Sequence, residues 1–87
     1  HLGWYTDHQK FWSARENLSW VRSSVELIEE FIKLNGKRFV IAGSCAEYDW
    51  NYKLMDEFKT PRNPNNLFGV SKNSLFNLIF CCSVLYI

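Results

Sequence analysis

The clearest hydrophobic pattern in the chain lies between positions 13 and 36. Apolar residues recur there at steps of three and four, the spacing of one face of an α-helix, and they are Leu18, Val21, Val25, Ile28 and Ile32, widened by Leu27 and Phe31. Ser13 and Glu16 have the spacing of a capping box. Asn35 and Gly36 readily adopt the left-handed conformation that ends a helix. We therefore predict a long helix from about Ser13 to Asn35-Gly36.

Two later stretches predict a strand and a second helix. Positions 39–43 are continuously apolar, which is typical of a central parallel strand covered on both faces. Positions 67–85 predict a helix, and either Asn65 or Asn66 could cap its start. A polar loop that contains both prolines separates the two elements. The small residues that follow the strand let the backbone approach a ligand closely.

The order of these elements predicts an α/β fold with a parallel sheet. Residues 1–5 look like the end of a first strand, so the sequence runs strand, helix, strand, loop, helix. A strand covered on both faces needs hydrogen-bonded neighbours along its edges. The 87 residues supply at most one partial neighbour. We therefore expect residues 1–87 to form a single partial domain, the central segment of a larger one.

Composition and charge exclude several classes of partner. The net charge of +1 gives no basic surface for nucleic acid. The apolar run at 75–87 is shorter than the ~20 residues that a membrane span needs, so we predict no membrane segment. Cys45, Cys81 and Cys82 lack metal-ligand spacing, and we predict buried or half-buried thiols in a cytoplasmic protein. Asp7, His8 and His1 lack the further ligands of a metal site, so no metal is predicted.

Candidate chemistry centres on Ser44 and the start of the second helix. Ser44 follows the apolar strand, at the end where open α/β sheets bind ligands. Phe68 and Lys72 are four positions apart and share one helix face. From spacing alone, a turn serine and a solvated surface lysine are the commoner interpretation.

Several short stretches together resemble a known family. They are Arg-Phe-Val-Ile-Ala-Gly-Ser-Cys-Ala-Glu-Tyr-Asp at 38–49, Asp56-Glu57, Thr60-Pro61, Leu-Phe-Gly-Val-Ser-Lys at 67–72, and His-Leu-Gly at 1–3. This combination resembles the NAD-dependent epimerases and dehydratases, which are extended short-chain dehydrogenases/reductases acting on sugar nucleotides.

The resemblance implies a fold and partners. It implies a fragment of a Rossmann-type parallel sheet with two long helices, lacking the N-terminal dinucleotide-binding βαβ unit. It implies NAD or NADP as cofactor, a sugar-nucleotide substrate in the full-length parent, and a homodimer formed through the two long helices.

The resemblance also assigns roles to single residues. Ser44 takes the position of the substrate-binding serine, and Lys72 that of the lysine that binds the nicotinamide ribose and lowers the pKa of the catalytic tyrosine. Gly3 falls where the backbone passes close to the cofactor, and Tyr48 matches a tyrosine that we interpret as structural. The catalytic residues so implied are Ser44, Lys72 and the residue at the tyrosine position, which is Phe68.

The chain departs from the family pattern at two positions, which leaves two hypotheses for its function. Phe68 has no ionisable proton, and the loss of a general acid/base typically costs about 10²–10⁴ in rate. Trp20 stands where the family has an asparagine near the start of the first helix. One hypothesis is a fragment of an NAD(P)-dependent sugar-nucleotide epimerase, dehydratase or reductase. The alternative is an inactive remnant that acts only in binding or in helix-mediated assembly.

Overall fold

The structure, a computed structural model, describes residues 1–54 and 56–82 and the backbone of residues 85 and 86. Helix α1 spans Glu16–Lys33 and helix α2 spans Leu67–Cys81. Strand β1 is Val40–Ile41 and strand β2 is Leu85–Tyr86. A 3₁₀ turn at Cys45–Glu47 follows β1, and both this turn and α1 pack against α2.

The predicted fragment of a Rossmann-type parallel sheet is wrong. The described regular structure is mostly helical, with 18 residues in α1 and 15 in α2 against two in each strand. β1 and β2 pair in parallel, with Val40 opposite Leu85, and in the described part of the chain this pairing comprises two residue pairs.

The apolar run at 39–43 has too few hydrogen-bonded neighbours among the described residues to form a longer strand. Among the described residues, those that pair with it along one edge are the two residues of β2. Elsewhere along the run, His1 donates its terminal amine to the Val40 carbonyl and accepts a bond of 3.1 Å from the Ala42 amide. Because strand residues are stabilised by neighbours on both sides, hydrophobicity alone does not lengthen β1.

Of the two predicted ends of helix α1, only the C-terminal one agrees with the structure. The helix begins at Glu16, and its N-cap residue Arg15 makes no side-chain cap, so the capping box predicted at Ser13 is wrong. At the other end Asn35 has a φ of 60°, and the amide of Gly36 donates to the Phe31 carbonyl at 2.8 Å. The predicted left-handed end of this helix is confirmed.

The buried face of α1 is only partly the predicted stripe. Ile28 is buried, and Val21 and Val25 pack against the core, as predicted. Leu18 and Ile32 are exposed, whereas the polar residues Asn17 and Ser24, about two turns apart on the helix, are fully buried. Ile28 joins the main apolar cluster, whose other buried members are Phe39, Ile41, Leu75 and Ile79.

Helix α2 starts as predicted and ends earlier. The Asn66 side chain accepts a bond of 2.8 Å from the Gly69 amide, so of the two asparagines considered, Asn66 is the cap. The helix ends at Cys81 and not at Leu85, which lies in β2.

The exposure of the cysteines differs from the prediction. All three cysteines are exposed, so the prediction of buried or half-buried thiols is wrong. Within residues 1–54, 56–82 and 85–86, neither helix has the length and apolar character that crossing a bilayer requires. The structure is of one chain, and the homodimer through the two helices stays a prediction.

Candidate functional site

A cavity of about 470 Å³ opens where β1 ends and the 3₁₀ turn begins. Its lining combines backbone, hydroxyl, carboxylate, guanidinium and aromatic groups. The residues that line it are Ala42, Gly43, Ser44, Cys45, Glu47, Tyr48, Glu57, Arg62 and Phe76.

Ser44 is fixed at the rim of the cavity by a reciprocal cap. Its hydroxyl oxygen accepts a bond of 3.1 Å from the Ala46 amide. Its own amide donates to Glu47 Oε2 at 2.6 Å. The two bonds satisfy amide groups at the start of the 3₁₀ turn, as a capping box does at a helix start. They also leave the hydroxyl proton of Ser44 available for a ligand.

A buried ion pair forms one wall of the cavity. The Glu47 side chain is only 1% exposed, and its Oε1 lies 2.9 Å from Arg62 Nη1. Arg62 Nη2 donates to the Tyr48 hydroxyl at 3.0 Å. The guanidinium lies 3.5 Å from the Phe76 ring centroid and 4.6 Å from that of Tyr48. Charge-assisted bonds and ring contacts therefore hold Arg62 in one orientation.

No local sequence pattern indicates the Glu47–Arg62 ion pair. Glu47 and Arg62 are 15 residues apart, and the loop between them was predicted only as polar. Both ends of that loop are joined by a bond of 2.8 Å from the Asp49 amide to the Pro61 carbonyl. That bond brings Arg62 beside Glu47.

Phe68, the residue at the catalytic tyrosine position, lies in an aromatic cluster. It is 8% exposed. Its ring makes edge-on contacts with Trp4, Phe11 and Trp12, at centroid distances of 6.5, 4.9 and 5.7 Å. Such edge-to-face pairs stabilise a fold through ring burial and quadrupole attraction. Phe68 does not line the cavity, and its ring cannot transfer a proton.

The side chain of Lys72 is buried and bonds to other groups of the chain. The residue is 5% exposed, and its ammonium donates to the Ala42 carbonyl at 3.1 Å. The same nitrogen lies 4.1 Å from the centroid of the Trp4 ring, a cation–π distance. Burial lowers the pKa of Lys72 from its ordinary value, and the negative charge of Glu47 partly opposes that change. Lys72 does not line the cavity either.

Gly3 and Trp20 complete the same aromatic cluster. A β-carbon placed on Gly3 would lie 3.1 Å from Cζ3 of Trp20, so the glycine makes room for that ring. Trp20 in turn stacks on Trp4, with centroids 6.1 Å apart. Gly3 and Lys72 were the two residues assigned to NAD or NADP. Gly3 makes room for the ring of Trp20, and Lys72 lies over the ring of Trp4, so both positions are occupied by packing within the chain; the binding of NAD or NADP stays a prediction.

Asn17 is a structural residue that the sequence analysis missed. It is fully buried near the start of α1, and its Oδ1 accepts a bond of 2.8 Å from Trp4 Nε1. Its amide nitrogen donates to the carbonyls of Phe11 and Ala14 at 2.7 and 2.9 Å. Asn17 therefore anchors the N-terminal segment on α1.

We expect the chain to show no saturable binding of NAD or NADP. The ammonium that would contact the nicotinamide ribose is engaged with Ala42 and Trp4, and Gly3 accommodates Trp20. Isothermal titration calorimetry with each dinucleotide measures this directly. Dissociation constants in the micromolar range would show that the Trp4 cluster opens to admit the cofactor.

Comparisons of the chain with protein-family models, with curated proteins and with solved structures find no match. Membership of the epimerase and dehydratase family stays a prediction. Of its site residues, Ser44 lines the cavity, whereas Phe68 and Lys72 contact Trp4 and Gly3 makes room for Trp20. Among the described residues, no group of histidine, cysteine and acidic side chains has the arrangement of a metal site.

Proposed function

We propose that this chain binds the uncharged, hydroxylated sugar portion of a ligand such as a sugar nucleotide in the cavity beside Ser44, without acid–base chemistry at position 68. In this proposal it is a non-catalytic relative of the NAD(P)-dependent sugar-nucleotide epimerases, dehydratases and reductases. One observation carries it. Ser44 lines the cavity, while Phe68 and Lys72 are packed against Trp4.

The charges of the cavity favour the sugar portion of a sugar nucleotide over its diphosphate. Arg62 and Glu47 neutralise one another at 2.9 Å. Glu57 adds a further carboxylate to the lining. A phosphate group would meet that carboxylate with no uncompensated cation among the lining residues to attract it. Hydroxyl groups, in contrast, can exchange hydrogen bonds with carboxylate, serine and tyrosine oxygens.

The competing hypothesis is a fragment of an active enzyme. It requires a proton donor other than Phe68 and access of the sugar to Lys72. The burial of Lys72 and the aromatic contacts of Phe68 support the binding hypothesis instead.

Saturation-transfer NMR with UDP-glucose tests the proposal. We expect stronger saturation of the hexose protons than of the uridine protons, since the hexose is the part that enters the cavity. With NAD⁺ added, the hexose signals should stay those of UDP-glucose for hours. Formation of a different hexose or a keto-sugar contradicts the proposal, and so does a lack of transfer to the hexose.

A matched pair of variants localises the signal. Cys45→Trp puts a large ring into the cavity lining and should abolish saturation of the hexose. Cys81→Trp adds the same ring at the exposed end of α2, outside the cavity lining. This variant should leave the saturation of the hexose unchanged. Equal effects of the two variants would mean that the ligand binds elsewhere.

Restoring a tyrosine at position 68 should not create activity in this chain. Phe68→Tyr places a hydroxyl on a ring that is 8% exposed and surrounded by other aromatic rings. A buried hydroxyl without a partner costs about 1–3 kcal/mol, so we expect a loss of stability of that order. Urea unfolding measures the loss, and the same NMR assay measures turnover. Turnover by the variant would favour the enzyme-fragment hypothesis.

A further inference from the structure

The two residues that bring hydroxyl groups to the cavity lie at opposite ends of one short turn. Ser44 is the N-cap and Tyr48 the C-cap of the 3₁₀ turn at Cys45–Glu47. The turn is closed by the bond from the Tyr48 amide to the Cys45 carbonyl at 3.1 Å, and it packs against α2. Both hydroxyls belong to residues that line the same cavity. The turn therefore fixes the backbone positions of both residues, and the bond from Arg62 places the Tyr48 hydroxyl.

Each hydroxyl already accepts a hydrogen bond from the protein. The Ser44 oxygen accepts from the Ala46 amide at 3.1 Å, and the Tyr48 oxygen accepts from Arg62 Nη2 at 3.0 Å. A guanidinium has no acceptor, so the direction of the second bond is unambiguous. In the described part of the chain neither hydroxyl donates its own proton to another group. Both protons are thus left for a ligand.

We propose that Ser44 and Tyr48 form a paired hydrogen-bond donor for acceptor oxygens of the ligand, with Arg62 as the residue that positions Tyr48. The inference deepens the proposed function and rests on it. It gives Tyr48 a role in binding, whereas we interpreted the matching tyrosine of the family pattern as structural.

The pair defines the chemical class of ligand more narrowly. Two donors on one turn match a group that offers acceptor oxygens, namely a carbonyl or neighbouring hydroxyl and ether oxygens of a sugar. The Arg62 bond polarises the tyrosine O–H, because a hydroxyl that accepts from a cation becomes a better donor. An ammonium group, which only donates, does not match the pair.

The test is the affinity of Tyr48→Phe for UDP-glucose, measured by chemical-shift titration of the amide signals. The variant keeps the ring that lies against Arg62 and removes only the hydroxyl. We expect binding about tenfold weaker, which is the effect of losing about 1.4 kcal/mol. Tyr52→Phe removes a hydroxyl from an exposed tyrosine outside the cavity lining and should change the affinity less than twofold.

The outcomes separate this inference from the proposed function. If the wild-type chain binds UDP-glucose and Tyr48→Phe binds equally well, the paired donor is refuted and the cavity remains the binding site. If the wild-type chain does not bind, the proposed function fails, and the paired donor fails with it. Arg62→Lys keeps a positive charge but lacks the planar fork that reaches Glu47 and Tyr48 together, so it should weaken binding as Tyr48→Phe does.

Discussion

Replacing Gly69 by alanine is expected to destabilise the fold by about 3 kcal/mol, the upper range for overpacking a tight contact. Gly69 lies in the first turn of α2, where that helix meets the 3₁₀ turn. A β-carbon there would lie 2.3 Å from the Ala46 carbonyl oxygen and 2.9 Å from Cβ of Pro64. The nearest atom is backbone, so no side-chain rotation relieves the overlap. The two elements must move apart, and the cavity wall moves with them.

The control for this substitution separates steric overlap from helix propensity. Alanine is a better helix former than glycine by about 1 kcal/mol, so propensity alone predicts that the Gly69→Ala chain is more stable. Asn77→Ala changes an exposed position of the same helix and should alter stability by no more than about 0.5 kcal/mol. Urea unfolding of the two variants and the wild type gives the comparison. A Gly69→Ala chain as stable as the wild type would show that α2 does not approach Ala46 as described.

Replacing Arg62 by methionine is expected to cost about 3 kcal/mol, the lower end for breaking a buried ion pair. The Glu47 side chain is 1% exposed and would lose its 2.9 Å partner. It keeps the Ser44 amide bond, which moderates the loss. Methionine retains the volume that packs on Phe76 but supplies no donor for Glu47 or Tyr48. The main cost is therefore a buried carboxylate with less compensation.

Two further variants test that cause. Arg22→Met removes an exposed arginine of α1 and should change stability by no more than about 0.5 kcal/mol. Glu47→Gln combined with Arg62→Met removes the buried charge together with its partner, so the double variant should be more stable than Arg62→Met alone. Additive losses in this double-mutant cycle would contradict a direct interaction between the two side chains.

Two features that short local patterns encode were predicted correctly from the sequence, although the capping box at Ser13 was not. The left-handed residue Asn35 ends α1, and Asn66 caps α2, because each depends on a few neighbouring residues. The extent of the sheet was not predictable in this way. A continuous apolar run shows that a segment is buried, but the length of a strand depends on neighbours elsewhere in the chain, and β1 has few.

In the candidate site too, local features were predicted and contacts between distant residues were not. Ser44 was singled out from its position after the apolar run, and it lines the cavity. The buried Glu47–Arg62 pair was not predicted, since it forms across a loop whose closure depends on the Asp49–Pro61 bond. The aromatic contacts of Phe68 and Lys72 were missed because Trp4 and Trp12 are distant from them in sequence.

The most direct test of the central claim, that the ligand binds beside Ser44 and away from position 68, is an amide chemical-shift map of the wild-type chain with UDP-glucose. We predict that the largest shifts fall on residues 43–48 and on Glu57 and Arg62, with the amides of Gly3, Phe68 and Lys72 unchanged. Shifts centred on Gly3, Phe68 and Lys72 would contradict the claim, because they would place the ligand in the tryptophan cluster.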